Sequence, residues 1–335
     1  MSEQFLIIQT AFIGDVVLAT SLIENLHNAF PGAQIDFMVR KGNEALLQGH
    51  PYLRQVLIWD KKKDKLFNLW KLISTIRKTR YDKVINVQRY LATGLMTTLS
   101  GAAETIGFDK NPLSFTFKTK VRHVFAVSTD IVHEIDRNNL LIAKLTTTPA
   151  MRPRLYPSAE DKQAVAAYKL QNYLTISPAS VWFTKQYPAF KWVAFINKIP
   201  DSYTICLLGG PGDKPIADEM IKQSTRPGII NLCGSLTFLQ SAELMKGANM
   251  NYVNDSAPMH FASAVNAPVT AIYCSTIPAF GYGPLSDQRI IVERKKPLYC
   301  RPCGIHGKKA CPEGHFKCAM EIEDEQLLKA ISQAG

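Results

Sequence analysis

Five stretches of this chain carry side chains able to do chemistry. Asn254-Asp255-Ser256-Ala257-Pro258-Met259-His260 follows a short strand at 251–253 and precedes a short helix. Pro258 suits a first helical turn, where its missing N–H has no helical partner in any case. N–H groups at such a start bind anions. Asp255 can accept from a sugar hydroxyl, and Ser256 and His260 can donate to phosphate or sugar; a capping turn with a core histidine is the plainer alternative. Residues 177–188, SPASVWFTKQYP, follow another strand-length run. Two hydroxyls and Lys185 ahead of Pro188 fit a diphosphate clamp, against an ordinary solvated lysine. Residues 207–213, LLGGPGD, make a glycine-rich turn that lets backbone approach a ligand, with Asp213 placed for a ribose. That turn is neither G-x-G-x-x-G nor a P-loop. Near the start, Gly14-Asp15 puts a carboxylate where a strand gives way to a helix, either as an N-cap or as a working group at the carboxyl end of a parallel strand. Last, Cys300, Cys303, Cys311 and Cys318 fall within nineteen residues.

These residues need elements to hold them. Residues 5–9 read as a buried strand, and Ala19, Leu22, Ile23, Leu26 and Phe30 recur at helical spacing until Pro31-Gly32. Strands at 34–40, 56–59 and 84–87 then alternate with helices. In the helix at 66–78, the spacing puts Leu66, Leu69, Trp70, Ile73 and Ile76 on one face. Residues 115–127 read as irregular or extended and 133–145 as an amphipathic helix. Residues 146–158, with three prolines and no periodicity, are the best linker. The alternation then restarts, with strands at 173–177, 203–208, 229–232, 251–253 and 269–273. Strand–helix alternation implies two doubly wound parallel-sheet domains, at 1–150 and 151–320, followed by a C-terminal helix at 321–335 expected to pack back on the first domain.

The net charge of +11 favours a polyanionic partner or surface. Much of it lies at Lys61, Lys62, Lys63, Lys65, Lys71, Arg77, Lys78 and Arg80. No basic stretch is interleaved with aromatics and no helix-turn-helix or RNA-recognition signature occurs, so nucleic acid is not the expected partner. No apolar stretch is long enough to span a bilayer, and the N-terminus lacks signal-peptide features; a cytoplasmic protein is expected.

Taken together, FIGDVVLATSLI, SPASVWFTKQYP and NDSAPMH resemble, in order and nearly end to end, the bacterial glycosyltransferase family 9, the ADP-heptose:lipopolysaccharide heptosyltransferases. The resemblance implies a GT-B fold, two Rossmann-like domains facing a central cleft with the nucleotide donor held mainly by the second. It implies inverting, metal-independent transfer of a heptose from ADP-heptose to a lipopolysaccharide inner core. By position, Asp15 resembles the catalytic carboxylate, Lys185 and Ser180 the diphosphate contacts, Asp213 the ribose contact, and Asp255, Ser256, Ala257 and His260 the donor loop. Ala257 replaces the family's usual glycine, Gln186-Tyr187 stand where Arg-Trp is usual, and Gln88-Arg89 stand where Gln-Gly is common on the acceptor side. Gln88, Arg89 and the lysines of 61–65, Lys62 among them, are acceptor-side candidates. The expected partners are thus an ADP-heptose-type nucleotide sugar, an acidic core acceptor and the inner face of the cytoplasmic membrane, where the protein would be peripheral.

The chemistry agrees with this assignment. Transfer from a nucleotide sugar needs a base for the acceptor hydroxyl and donors for the leaving diphosphate. Asp15 supplies the first, with a pKa raised in a closed site; Lys185 and the helix start at Ser256 supply the second. No Asp-x-Asp occurs, which disfavours a metal-bridged donor, and no catalytic cofactor is expected. Cysteine spacing of x2, x7 and x6 favours a structural zinc site over reduced thiols or disulfides. A nucleotide-sugar epimerase of the same architecture and a non-catalytic polyanion binder are the alternatives.

Overall fold

The computed structural model describes residues 2–124, 132–169 and 172–332; the expectations for 125–127 and 333–335 lie outside them. The chain divides into two compact units, Met1–Tyr156 and Pro157–Gly335. The first unit runs β1 (Gln4–Ile8), α1 (Ile13–Ala29), β2 (Gln34–Arg40), β3 (Leu53–Trp59), α2 (Lys65–Thr79), β4 (Lys83–Asn86), α3 (Leu91–Thr98), β5 (Glu104–Phe108), β6 (Thr119–Val121) and α4 (Glu134–Asn139). The second runs α5 (Ala159–Val165), β7 (Tyr173–Ser177), α6 (Ala189–Ile196), β8 (Thr204–Leu207), α7 (Lys214–Gln223), β9 (Ile229–Asn231), α8 (Phe238–Gly247), β10 (Met250–Asn254), α9 (Ala257–Ala264), β11 (Val269–Tyr273), β12 (Arg289–Glu293), α10 (Lys317–Met320) and α11 (Asp324–Ser332).

Each unit carries one six-stranded sheet, ordered β3-β2-β1-β4-β5-β6 in the first and β12-β11-β10-β7-β8-β9 in the second. Every strand pairing is parallel. Renumbered within its unit, the second sheet repeats the order of the first. In both, the order reverses between the first and fourth strands, and open α/β sheets hold ligands beside the carboxyl ends of strands at that point. β1, buried from Phe5 onward, and β7, buried throughout, read as continuous apolar runs because helices cover both faces of the sheet.

Three expectations change. Residues 146–158 are not a free linker: Asn25 Nδ2 donates to the Pro149 carbonyl at 3.1 Å, its Oδ1 accepts the Met151 N–H at 3.0 Å, and Thr20 Oγ1 accepts the Arg154 N–H at 2.9 Å. These bonds strap the segment along α1, so the division falls at its end. The C-terminal helix α11, expected on the first domain, instead places Leu327, Ala330 and Ile331 in the core of the second unit beside Trp192, Phe195 and Tyr252. In α2, Leu69, Ile73 and Ile76 are buried, but Leu66 and Trp70 point outward. The edge strand β12 was not expected, and β6 forms within the stretch at 115–127 read as irregular or extended.

Candidate active site

In the first unit, Asp15 lies where α1 begins, just beyond the end of β1. It is the third residue of the helix and not its N-cap: Phe12 holds the cap position, and the Asp15 carboxylate accepts the Phe12 N–H at 3.2 Å. Backbone N–H groups and the nearby Arg40 and Arg89 favour its charged form. Burial outweighs them, and its pKa is raised above the ordinary 3.8. Glu134, at the start of α4, is a second buried carboxyl with a raised pKa; burial is the main cause, and Asp15 adds to it. Glu134 is held by Arg137 at 2.6 Å.

Gln88 and Arg89 follow β4, on the other side of the reversal point. Gln88 is buried and its Nε2 donates to Gln9 Oε1 at the end of β1, so its side chain ties two strand ends together. Arg89 is exposed and contributes its charge to the surroundings of Asp15. Lys62 does not join this group; it is exposed in a turn whose N–H groups are capped by Asp60. Its neighbour Lys61 turns inward instead. Lys61 Nζ donates to the Thr10 carbonyl at 2.8 Å and to Thr10 Oγ1 at 3.0 Å, and lies over the Trp59 ring at 4.7 Å. Burial, together with Arg40 and Lys65, pushes its pKa down to about 8. Lys61, Arg40, Thr10, Phe12, Trp59 and Tyr90 line a cavity of about 550 Å³. Lys61 belongs to the run 61–65 that sequence reading singled out, but identical neighbouring lysines carry no signal of which one turns inward.

In the second unit, the loops after β7 and β10 meet at the corresponding reversal point. Lys185 Nζ lies 2.7 Å from Asp255 Oδ2, and Thr276 Oγ1 donates to the same oxygen at 2.6 Å. Asn254 joins the loops: its Nδ2 donates to the Pro178 carbonyl at 2.8 Å and its Oδ1 accepts the Tyr187 N–H at 2.9 Å. Ser180 lies in the first of these loops, its carbonyl accepting from Gln186 Nε2 at 2.6 Å. Ser256 is the N-cap residue of α9 but makes no side-chain cap bond; its hydroxyl reaches back to the Asn254 carbonyl at 3.4 Å. Ala257 opens the helix, and His260 is buried one turn further on. Asp213 turns into its own loop and accepts the Gly210 N–H at 2.8 Å. A Cβ on Gly209 would come within 2.8 Å of that carboxylate, so only glycine fits beside it.

The cysteine-rich segment bears on this site, a connection sequence reading missed. Thr184 donates its N–H to the Lys308 carbonyl at 3.1 Å, and its Oγ1 accepts the Lys308 N–H at 2.8 Å. Ser275 accepts from the Cys303 N–H at 3.0 Å and bonds Thr184 through its own hydroxyl at 3.0 Å. Gly307, at φ +75°, packs so closely that a Cβ there would lie 2.8 Å from Lys185 Cγ. All seven cysteines are unbonded, and among the described residues no group of three or more His, Cys, Asp or Glu side chains is placed to hold a metal ion. The expected zinc site at Cys300, Cys303, Cys311 and Cys318 is therefore not supported.

Each unit thus repeats one arrangement: charged side chains at the reversal point of a doubly wound parallel sheet, a carboxyl in the first and a lysine–carboxylate pair beside a helix start in the second. The sequence profile of glycosyltransferase family 9 (heptosyltransferase) matches residues 69–315, and the chain belongs to that family; it is a glycosyltransferase. It is 26% identical over 291 residues to lipopolysaccharide heptosyltransferase 3 of Escherichia coli, covering 83% of this chain and 85% of that one. It is 22% identical over 348 residues to lipooligosaccharide heptosyltransferase 2 of Haemophilus influenzae, covering 98% of both. The fold superimposes on a family 9 glycosyltransferase from Veillonella parvula with a TM-score of 0.83 at 21% identity, covering 99% and 97% of the two chains. Against the E. coli ADP-heptose lipopolysaccharide heptosyltransferase II the TM-score is 0.79 at 19% identity, covering 99% and 98%. The two doubly wound parallel-sheet domains expected from sequence are both present.

Proposed function

We propose that this enzyme transfers a heptosyl residue from ADP-heptose to the inner core of a membrane-borne lipopolysaccharide precursor, with inversion and without a catalytic metal, at the cytoplasmic face of the membrane. The relatives' names carry the sugar and the acceptor class. In the reaction, Asp15 accepts the proton of the acceptor hydroxyl as its oxygen forms a bond to the anomeric carbon. The bond from that carbon to the β-phosphate oxygen breaks, and ADP departs with the charge. Lys185 and the start of α9 meet that charge, with Ser180 and Ser256 able to donate alongside. Asp255 then gives up part of its hold on Lys185, so the cation is balanced by a carboxylate before the donor arrives and by diphosphate afterwards. Asp213 is left to orient its loop near the ribose. Gln88, Arg89 and Lys61 serve the acceptor side.

The observation that carries this reading is the enclosed carboxyl of Asp15, whose pKa is raised despite a helix start and two arginines. An epimerase would require acid and base groups on both faces of the sugar. Thermal shift against ADP, UDP, GDP and ADP-heptose, followed by transfer to an isolated core acceptor, tests the proposal. A ligand that binds the native state raises Tm with its occupancy. ADP and ADP-heptose are expected to stabilise the protein; preference for UDP would remove the heptosyl reading and leave the fold intact.

A further inference from the structure

We propose that the exposed face of α2 and the lysine turn before it form a docking surface for an anionic lipid bilayer. α2 has two apolar sides. Leu69, Ile73 and Ile76 pack into the core of the first unit. Leu66, Phe67 and Trp70 stand outside that stripe, 70%, 69% and 57% exposed. At about 100° per residue these three share one arc at the N-terminal end of the helix. Such residues normally weaken a soluble surface, and a contiguous group of them marks an interaction site.

The surrounding charge identifies the occupant. Between residues 60 and 80, eight Lys and Arg stand against two Asp. Lys62, Lys63, Lys65, Lys71, Arg77 and Lys78 are exposed. Of the two carboxylates, Asp60 is already engaged by Lys41 at 2.9 Å and by the N–H groups of Lys62 and Lys63, which leaves Asp64. Trp, Phe and Leu rimmed by lysines are the composition of a helix that lies in a membrane interface, its rings at headgroup level and its cations on acidic lipid. An acidic protein would satisfy the lysines but would leave three large apolar side chains to find a matching pocket. A fluid bilayer accepts both features without such a match. Among the described residues no helix is long and apolar enough to cross a membrane, so attachment would be peripheral.

The surface is continuous with the acceptor side. Lys65 and Leu66 sit on the rim of the cavity that holds Arg40 and Lys61, and Tyr90 and Leu91, 65% and 54% exposed, stand on the same rim. A glycolipid acceptor lying in the bilayer would therefore present its headgroup to this cavity while its acyl chains stay in the membrane. This step rests on the membrane-borne acceptor proposed above, and its test is independent of the sugar.

The test is flotation of the full chain with vesicles of phosphatidylcholine alone or with about one-third phosphatidylglycerol, alongside transfer to a soluble acceptor stripped of its acyl chains. Binding is expected only to the anionic vesicles, weakening steeply with salt. Trp70 fluorescence is expected to shift blue on binding and to be quenched by brominated lipid. Phe67→Ser with Trp70→Ser is expected to lower the partition coefficient at least about tenfold, and to leave transfer to the soluble acceptor within about twofold, since neither residue lines the cavity. Failure of the native chain to bind anionic vesicles, or binding that the double variant retains, overturns the proposal. So does self-association that the double variant abolishes, which would make the face an interface between copies. Loss of soluble-acceptor transfer in the native chain would count against the assigned reaction and not against the docking surface.

Discussion

Replacing Lys185 by Met tests whether the lysine–carboxylate pair is the energetic centre of the second unit's site. The two side chains retain 15% and 8% of their exposure and approach to 2.7 Å. Removing the cation leaves the Asp255 carboxylate with the Thr276 hydroxyl as its remaining side-chain donor, at 2.6 Å. Stranding one member of a buried pair costs about 3–5 kcal/mol. The residual exposure of Lys185 and the bond from Thr276 place this case near the lower end, about 3 kcal/mol. For a domain of this size that corresponds to a fall of roughly 6–12 °C in Tm. Adding Asp255→Asn removes the stranded charge and is expected to recover at least about half of the loss. Scanning calorimetry of the nucleotide-free protein, the single variants and the double variant measures these quantities. An unchanged Tm for Lys185→Met, or a double variant whose loss equals the sum of the two single losses, would refute the reasoning.

Three further outcomes follow from the same geometry. Asp15→Asn is expected to raise Tm at neutral pH, because a carboxyl with a raised folded pKa destabilises the fold above that pKa and has no such effect below the unfolded value near 3.8; thermal melts across pH check that the gain vanishes in acid. Gly307→Ala puts a methyl group 2.8 Å from Lys185 Cγ at a φ of +75°, a conformation costing an L-residue about 1–2 kcal/mol; a raised KM for the nucleotide sugar, with the acceptor KM unchanged, is expected from steady-state kinetics. Lys61, with its pKa near 8, should lose its charge as the pH rises through that value. Acceptor affinity measured by titration should weaken there, and Lys61→Met should abolish the step.

Much of this site is written in local sequence. Parallel strands covered on both faces read as continuous apolar runs, and the turns after β1, β7 and β10 stand out against them because Gly14-Asp15, the hydroxyls before Lys185, and Asp255-Ser256 interrupt that pattern. The topology places these turns at the two reversal points, and alternation of strand and helix is enough to expect that. What escaped depends on pairings distant in sequence. Lys185 and Asp255 were each singled out, but their ion pair depends on how the loops after two neighbouring strands meet. Thr184 and Lys308 join across the sheet with no local signal, so the cysteine segment looked remote from the donor loop. The turn at Lys61 and Lys62 gives both residues the same type, and only the fold decides which one turns inward. Leu66 and Trp70 obey helical spacing with Leu69 and Ile73, yet the helix is rolled so that they lie outside the core.

The most direct test of the central claim is single-turnover transfer by Asp15→Asn, measured alongside equilibrium binding of ADP. Loss of the base is expected to slow glycosidic bond formation by about 10²–10⁴-fold, with the ADP Kd unchanged and the acid limb of native kcat/KM lying above the ordinary carboxylate value of 3.8. Near-native turnover by this variant would contradict the account, whatever its affinity for nucleotide.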